Sequence, residues 1–196
     1  MHQGTRFPPE ILSEHEVGAL LSTCGNGPRG TRSRALIAVL YRGGLRINEA
    51  LALYPKDVDL ATGAARVLHG KGDRARTIGL DLGALELLKR WLALRADLGI
   101  DRRSPVFCSL DGSPLGDGYV RRMLPDLAAK AGIDKRVHAH GLRHTHAAEL
   151  RTEGVDIGII SKQLGHRSIS TTAHYLDHIA PHSVLVTMRA RSWAPT

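Results

Sequence analysis

The stretch VHAHGLRHTHAAEL, residues 137–150, sets four histidines, His138, His140, His144 and His146, within nine residues around one arginine, Arg143. Whether that arginine belongs with the histidines decides between a metal site and an anion site. A guanidinium is always charged and cannot coordinate a metal, but its planar fork matches a phosphate. His140 and His144, four residues apart, would share a helix face as a zinc pair does. The zincin pattern, however, needs a glutamate directly after the first histidine, where this chain has Gly141, and no third ligand stands out. Arg143 would share that face, and a fixed cation beside a dication is repelled. The residues therefore argue against a metal. Leu142, His146 and Leu150 recur every four residues, which puts His146 at the edge of a core. His138 precedes the helix and is expected to be solvated. His140, Arg143 and His144 then lie near a helix N-terminus, where free N–H groups and the helix dipole favour an anion.

The rest of the chain fits a polyanionic partner. With 196 residues it is long enough for one domain with a self-sufficient core. Aromatic residues make up only 4%, so the core is expected to be Leu, Ala, Ile and Val on helices. The net charge is +8 and the pI about 10, which points to nucleic acid; a charge that serves only solubility is the plainer alternative. Cys24 and Cys108 form no CxxC pair, consistent with a reduced intracellular protein. The longest apolar run, ALIAVLY (35–41), is far too short to cross a bilayer, and the first residues lack the apolar stretch of a signal peptide. No membrane partner is expected, a cytoplasmic location is, and the composition, rich in Ala, Arg and Gly, suits a GC-rich bacterial or phage genome.

Local signals predict a mainly α fold with one small antiparallel β-sheet at an edge. Ser13 and Glu16 have capping-box spacing at a helix start. TRSRALIAVLYRGG (31–44) reads as a helix stopped by Gly43-Gly44, and LRINEALAL (45–53) as a helix resuming with Leu45, Leu51 and Leu53 inward until Pro55. AARVLHGKGDRARTIGL (64–80) reads as two strands around a polar turn, with Lys71 between two glycines at the tip. LGALELLKRWLALRADLG (82–99) is a strongly amphipathic helix ended by Gly99, and SPVFCSLDGSPLG (104–116) is extended chain and turn. DGYVRRMLPDLAAKAGI (117–133) reads as helix despite Pro125, and three more helices follow, over HAHGLRHTHAAELRTEG, DIGIISKQLGH and SISTTAHYL.

Taken singly, Arg46 after the glycine pair, Lys71 at a hairpin tip and Tyr175 near the end are unremarkable residues. Together, GGLRINEALAL, GKGDRARTIGL, HAHGLRHTHAAELRTEGVDIGIISKQLGH and STTAHY strongly resemble the catalytic domain of the tyrosine recombinase (phage integrase) family, in the family's order and spacing, over roughly residues 10 to 180. The resemblance matches Arg46 and Arg143 to the family's two arginines, Lys71 to its hairpin lysine, His140 and His166 to its two histidines and Tyr175 to its nucleophile. Relatives often carry an aromatic where His146 stands. They also carry a DNA-clamping domain ahead of the catalytic one, so residues 1–12 are expected to be the end of a linker, 13–180 the catalytic domain and 181–196 a C-terminal tail.

The resemblance implies a fold like that of tyrosine recombinases and type IB topoisomerases, and a reaction in which DNA is cut and rejoined through a phosphotyrosine. The residue types suit that chemistry in their own right. Two arginine forks can hold the non-bridging oxygens of a phosphodiester as charge builds on them. A tyrosine must lose a proton near pKa 10, and a histidine can accept it. By resemblance His140 is the base, His166 donates to the phosphate and Lys71 protonates the leaving 5′-oxygen. No ATP, metal or other cofactor is expected. The implied partner is double-stranded DNA, met by a chain that is monomeric when free and tetrameric on DNA. Arg121 and Arg122, in YVRRML (119–124), are the candidates for DNA contact, with a plainly solvated basic face as the alternative. A DNA-binding module without catalysis, a type IB topoisomerase and a zinc hydrolase remain competing readings.

Overall fold

The computed structural model describes residues 10–68, 75–166, 168–179 and 188–190. Within them the chain forms α1 (Glu14–Ser22), α2 (Pro28–Arg42), α3 (Ile47–Leu51), a 3-10 turn (Pro55–Asp57), β1 (Val58–Asp59), β2 (Ala64–Val67), β3 (Arg76–Gly79), α4 (Leu82–Asp97), α5 (Asp117–Lys130), α6 (Ala139–Thr152), α7 (Ile157–Leu164) and α8 (Ile169–Ile179). The mainly helical fold with a small antiparallel sheet is as the sequence predicts.

The apolar run at residues 35–41 is the axis of the core. Every residue from Ala35 to Tyr41 is buried on α2, because the helix is covered by α4 on one side and α6 on another. A helix covered on several sides needs no polar face, which is why this run is apolar all round. Pro28 starts α2 where its missing N–H costs nothing. On α1 the capping box forms: Glu16 N–H donates to the Ser13 hydroxyl and Ser13 N–H to the Glu16 carboxylate. Leu12, just before it, is buried, and its N–H donates to Thr145 on α6.

The sheet has the order β1-β2-β3, antiparallel throughout. The two expected strands are β2 and β3, paired from Ala64 with Gly79 to Val67 with Arg76. The edge strand β1 is an addition, since two residues are too short to show a period of two. The hairpin tip with Lys71 falls outside the described residues.

The helix expected over residues 45–53 is shorter. Only Ile47–Leu51 is helical, because Tyr54 must be extended ahead of Pro55. Leu45 and Leu53 are buried as expected, while Leu51 is half-buried. Pro125 sits inside α5 on its exposed side, so the carbonyl it leaves without an N–H partner can reach water. Buried Trp91 and Arg95 on α4 hold the following loop: Trp91 donates to the Val106 carbonyl at 2.8 Å, and Arg95 to those of Asp101 and Ser104 at 2.7 Å.

The apolar interior is in two parts. The main cluster spans α1, α2, the sheet, α4, α5 and the start of α6. A smaller one, Ala147, Ile160, Leu164 and Leu176, lies among α6, α7 and α8, with Tyr175 against it.

Candidate active site

Arg143 is only 1% exposed, at the start of α6. Its terminal nitrogens donate to the carbonyls of Gly44 (2.5 Å) and Leu164 (2.6 Å), and one lies 3.2 Å from His166 Nε2. Three of its five N–H groups are thus engaged, and the guanidinium is aimed before any ligand arrives. Burial and then the charge of Arg46 lower its pKa to about 10, well above neutrality, so it remains a cation.

Gly44 makes that grip possible. Its φ of +61° is the left-handed region, and a Cβ there would come within 2.8 Å of the His146 ring. The expected helix stop at the glycine pair is therefore also a shelf for the arginine. His146 is 4% exposed, further inside than a core edge, and neither ring nitrogen has a hydrogen-bond partner among the described residues. Burial, then the charge of Arg42, keeps it neutral with a pKa of about 4.

Arg46 begins α3 and donates to the Glu49 carboxylate at 2.8 Å, while its own backbone N–H donates to the other oxygen of Glu49. Glu49 is 4% exposed and also takes both terminal nitrogens of Arg76, from β3, at 2.9 and 2.8 Å. Burial alone would raise its pKa; the bonds from Arg76 and Arg46 outweigh that and bring it to about 2. Arg76 continues to α7, donating to the Gln163 carbonyl at 3.3 Å, and Gln163 bonds the backbone of Gly79 and Gly43. Strand β3 is thereby tied to the segment carrying Arg46.

Glu49 and Arg76 escaped the sequence reading. Glu49 did leave a signal, an acid three residues after the first residue of a helix start, the same spacing recognised at Ser13 and Glu16.

His138 corrects an expectation. Rather than being solvated, it caps α6: the Gly141 N–H donates to its Nδ1 at 2.6 Å, and the ring is half-buried. A free helix N–H needs an acceptor, and an imidazole one step ahead of the helix serves as one.

The other rings gather around Tyr175. His144 stacks on it at 4.8 Å between centroids and 14° between planes. His166 meets it edge-on at 5.3 Å, and His140 lies 6.5 Å away, edge-on to both Tyr175 and His144. The Tyr175 hydroxyl is buried, with the Arg143 guanidinium close beside it. Burial pushes its pKa up to about 12, against the pull of the Arg143 and Arg46 charges, so the free site keeps it protonated. Partial desolvation, then Arg143, His138 and Arg46, lowers the pKa of His140, which remains open to solvent. The same causes, burial and then Arg143 and Arg46, bring His166 to about 4. Both imidazoles are thus neutral near pH 7.

Arg46, His140, Arg143, His166 and Tyr175 are therefore brought together. Lys71 lies outside the described residues, and Arg121 and Arg122 lie elsewhere, exposed on α5, with Arg121 paired to Asp117 at 3.1 Å. Among the described residues no three His, Cys, Asp or Glu side chains gather to hold a metal. Glu49 pairs with Arg46 and Arg76, while Arg143 rests on backbone carbonyls, so the site carries excess positive charge and suits an anion.

A helical domain that collects arginines and histidines around a sealed tyrosine is the form of a known class. The chain belongs to the phage integrase family, whose model matches residues 10–182. Tyrosine recombinase XerC of Yersinia pestis is 33% identical over 170 residues, 87% of this chain and 55% of the relative. Tyrosine recombinase XerD of Halalkalibacterium halodurans is 35% identical over 176 residues, 88% of this chain and 58% of the relative. The crystal structure of XerA recombinase superposes with a TM-score of 0.81 at 32% identity, covering 95% of this chain and 67% of that one. The XerH site-specific recombinase, in a post-cleavage complex with a palindromic difH substrate, gives 0.75 at 29%, covering 96% and 55%. The chain spans a little over half the length of the curated relatives it matches.

The neutral burial of His146 has a measurable consequence. Its folded pKa of about 4 lies below the 6.5 of an exposed histidine, so its contribution to stability is complete above pH 6.5 and is lost as the pH falls toward 4. Between pH 7.5 and pH 5 this one residue should cost the protein about 2 kcal/mol. His146→Phe should remove that part of the loss, read by urea denaturation at the two pH values. Equal losses in both proteins would show that the ring is not buried in its neutral form.

Proposed function

We propose that this chain is the catalytic part of a site-specific DNA recombinase that cuts and rejoins strands through a 3′-phosphotyrosyl bond at Tyr175. One observation carries the reading: a buried tyrosine hydroxyl beside Arg143 and within the field of Arg46, in a site where Glu49 pairs with Arg46 and Arg76 and leaves Arg143 without a carboxylate bonded to it. The Tyr175 oxygen attacks phosphorus and the bond to the 5′-oxygen breaks. His140 accepts the phenolic proton, and Lys71 gives one to the leaving oxygen. Arg46, Arg143 and His166 hold the non-bridging oxygens as charge develops on them. A 5′-hydroxyl of another strand then attacks the phosphotyrosine, so the bond is exchanged and neither ATP nor a metal is required.

The partner in this reading is double-stranded DNA, supported by the net charge of +8 and by the DNA-bound state of the XerH relative. Residues 13–180 act as the catalytic unit. The tail 181–196 links copies into a tetramer on DNA from a monomer in solution, which sedimentation with and without duplex distinguishes.

A nicked duplex that traps the covalent adduct tests the chemistry. The wild-type chain should form an adduct that survives SDS, and Tyr175→Phe should form none while binding DNA as before. An adduct in the Phe variant would remove Tyr175 from the role, and relaxation of supercoiled plasmid by the chain alone would move the reading toward a type IB topoisomerase. In the same assay Lys71→Ala should cleave ordinary DNA slowly but a 5′-bridging phosphorothiolate normally, because sulfur leaves without a proton. Equal slowing of both substrates would make Lys71 a DNA contact rather than the acid.

Arg121 and Arg122 supply phosphate contacts in this reading. Replacing both by Ala should flatten the fall of log affinity with log salt by about two contacts' worth. An unchanged slope would leave them as a solvated face.

A further inference from the structure

His166 meets a partner at each ring nitrogen. Nδ1 lies 2.8 Å from the Thr172 hydroxyl, and Nε2 lies 3.2 Å from a terminal nitrogen of Arg143. A guanidinium has only donors. Nε2 must therefore offer its lone pair, which puts the ring proton on Nδ1 and makes Thr172 its acceptor. Turning the ring over would set carbon atoms against both partners, so the ring orientation is fixed as well.

This resting tautomer is the reverse of what the reaction above asks. A histidine that donates to a phosphate oxygen from the Arg143 side must carry its proton on Nε2. A carbonyl at the position of Thr172 would lock the resting form, because it can only accept, and an ammonium would lock the other. A hydroxyl does both from one atom. Thr172 is fully buried on α8, three residues before Tyr175, so its hydroxyl is held where the ring needs it.

We propose that Thr172 is a positioning residue that lets His166 change tautomer in place. Its hydroxyl accepts from Nδ1–H while Nε2 rests on Arg143, and donates to Nδ1 once Nε2–H faces the phosphate. Nε2 takes up a proton from water, and the Nδ1 proton passes to the Thr172 hydroxyl as that hydroxyl gives its own up to solvent, so the ring stays neutral and no bond between heavy atoms changes. The trigger is the anion: when it draws the Arg143 N–H groups to itself, Nε2 loses its donor. The working half of this cycle rests on the recombinase reading; the resting half does not.

Nitrogen-15 NMR of histidine-labelled protein without DNA, with His166 assigned by loss of its signal in His166→Gln, reads the resting state directly. The expected result is a His166 protonated on Nδ1; protonation on Nε2 would overturn the proposal. Thr172→Val keeps the shape and removes the hydroxyl. It should leave the Nδ1 proton without its hydrogen bond, shifting its resonance, and slow single-turnover cleavage of a nicked duplex roughly 10-fold, with DNA affinity unchanged. Thr172→Ser should restore both. A Val variant with the wild-type Nδ1 resonance and rate, or a Ser variant as slow as Val, would also overturn it. Melting curves establish that Val folds, and Thr172→Ala carries the same two readouts if it does not. A wild-type chain with the expected tautomer but no cleavage would count against the recombinase reading and leave the resting hydrogen bond standing.

Discussion

A guanidinium sunk to 1% exposure has to find inside the protein what water gave it outside. Arg143 finds it in two backbone carbonyls, Gly44 and Leu164, that belong to distant parts of the chain. Breaking such a partnership strands a charge in the interior, at a cost of about 3–5 kcal/mol. That cost fixes the geometry around it. The glycine pair after α2 must turn left-handed to present its carbonyl, α7 must end where Leu164 can reach the same cation, and His166 follows at once. The residues brought into the site share this one anchor.

Glu49 is the counterweight. Arg46 and Arg76 would repel one another without it, and their hydrogen bonds keep it ionised despite its burial. One carboxylate does not balance three arginines, however, and the remainder is a standing demand for an anion. The Tyr175 hydroxyl is held protonated by its burial, against the pull of Arg143 and Arg46. In the proposed reaction such a phenol would stay silent until a base stands beside it.

Much of this was legible in the sequence, and what was not has a physical reason. Helices such as α2 and α4 announced themselves through apolar runs and glycine stops, because those signals are local. Arg46, Arg143 and His166 were visible as residues of the right type at telling spacings, but not that Arg143 would be held by backbone carbonyls, which carry no sequence mark. Glu49 and Arg76 are 27 residues apart and meet only because the sheet folds β3 against α3 and α7. His138 looked solvated because a cap is a matter of backbone geometry, and histidine is not among the residues usually expected to cap a helix. Thr172, in a run of small hydroxyl residues, resembled its neighbours until the fold buried it alone among them.

The division of the apolar interior has its own consequence. Helix α8, with Tyr175 and Thr172, rests on a separate patch of four buried side chains rather than on the main core. Opening free energy within a protein is distributed unevenly, lowest where few apolar contacts hold an element down. By that rule α8 is held down by fewer apolar contacts than the helices of the main core, while Arg46 and Arg76 are tied through Glu49 to segments packed on that core. In the proposed reaction such a mounting would separate a fixed stage from a detachable actor: the tyrosine could be withdrawn or offered while the Arg46–Glu49–Arg76 group stays in place.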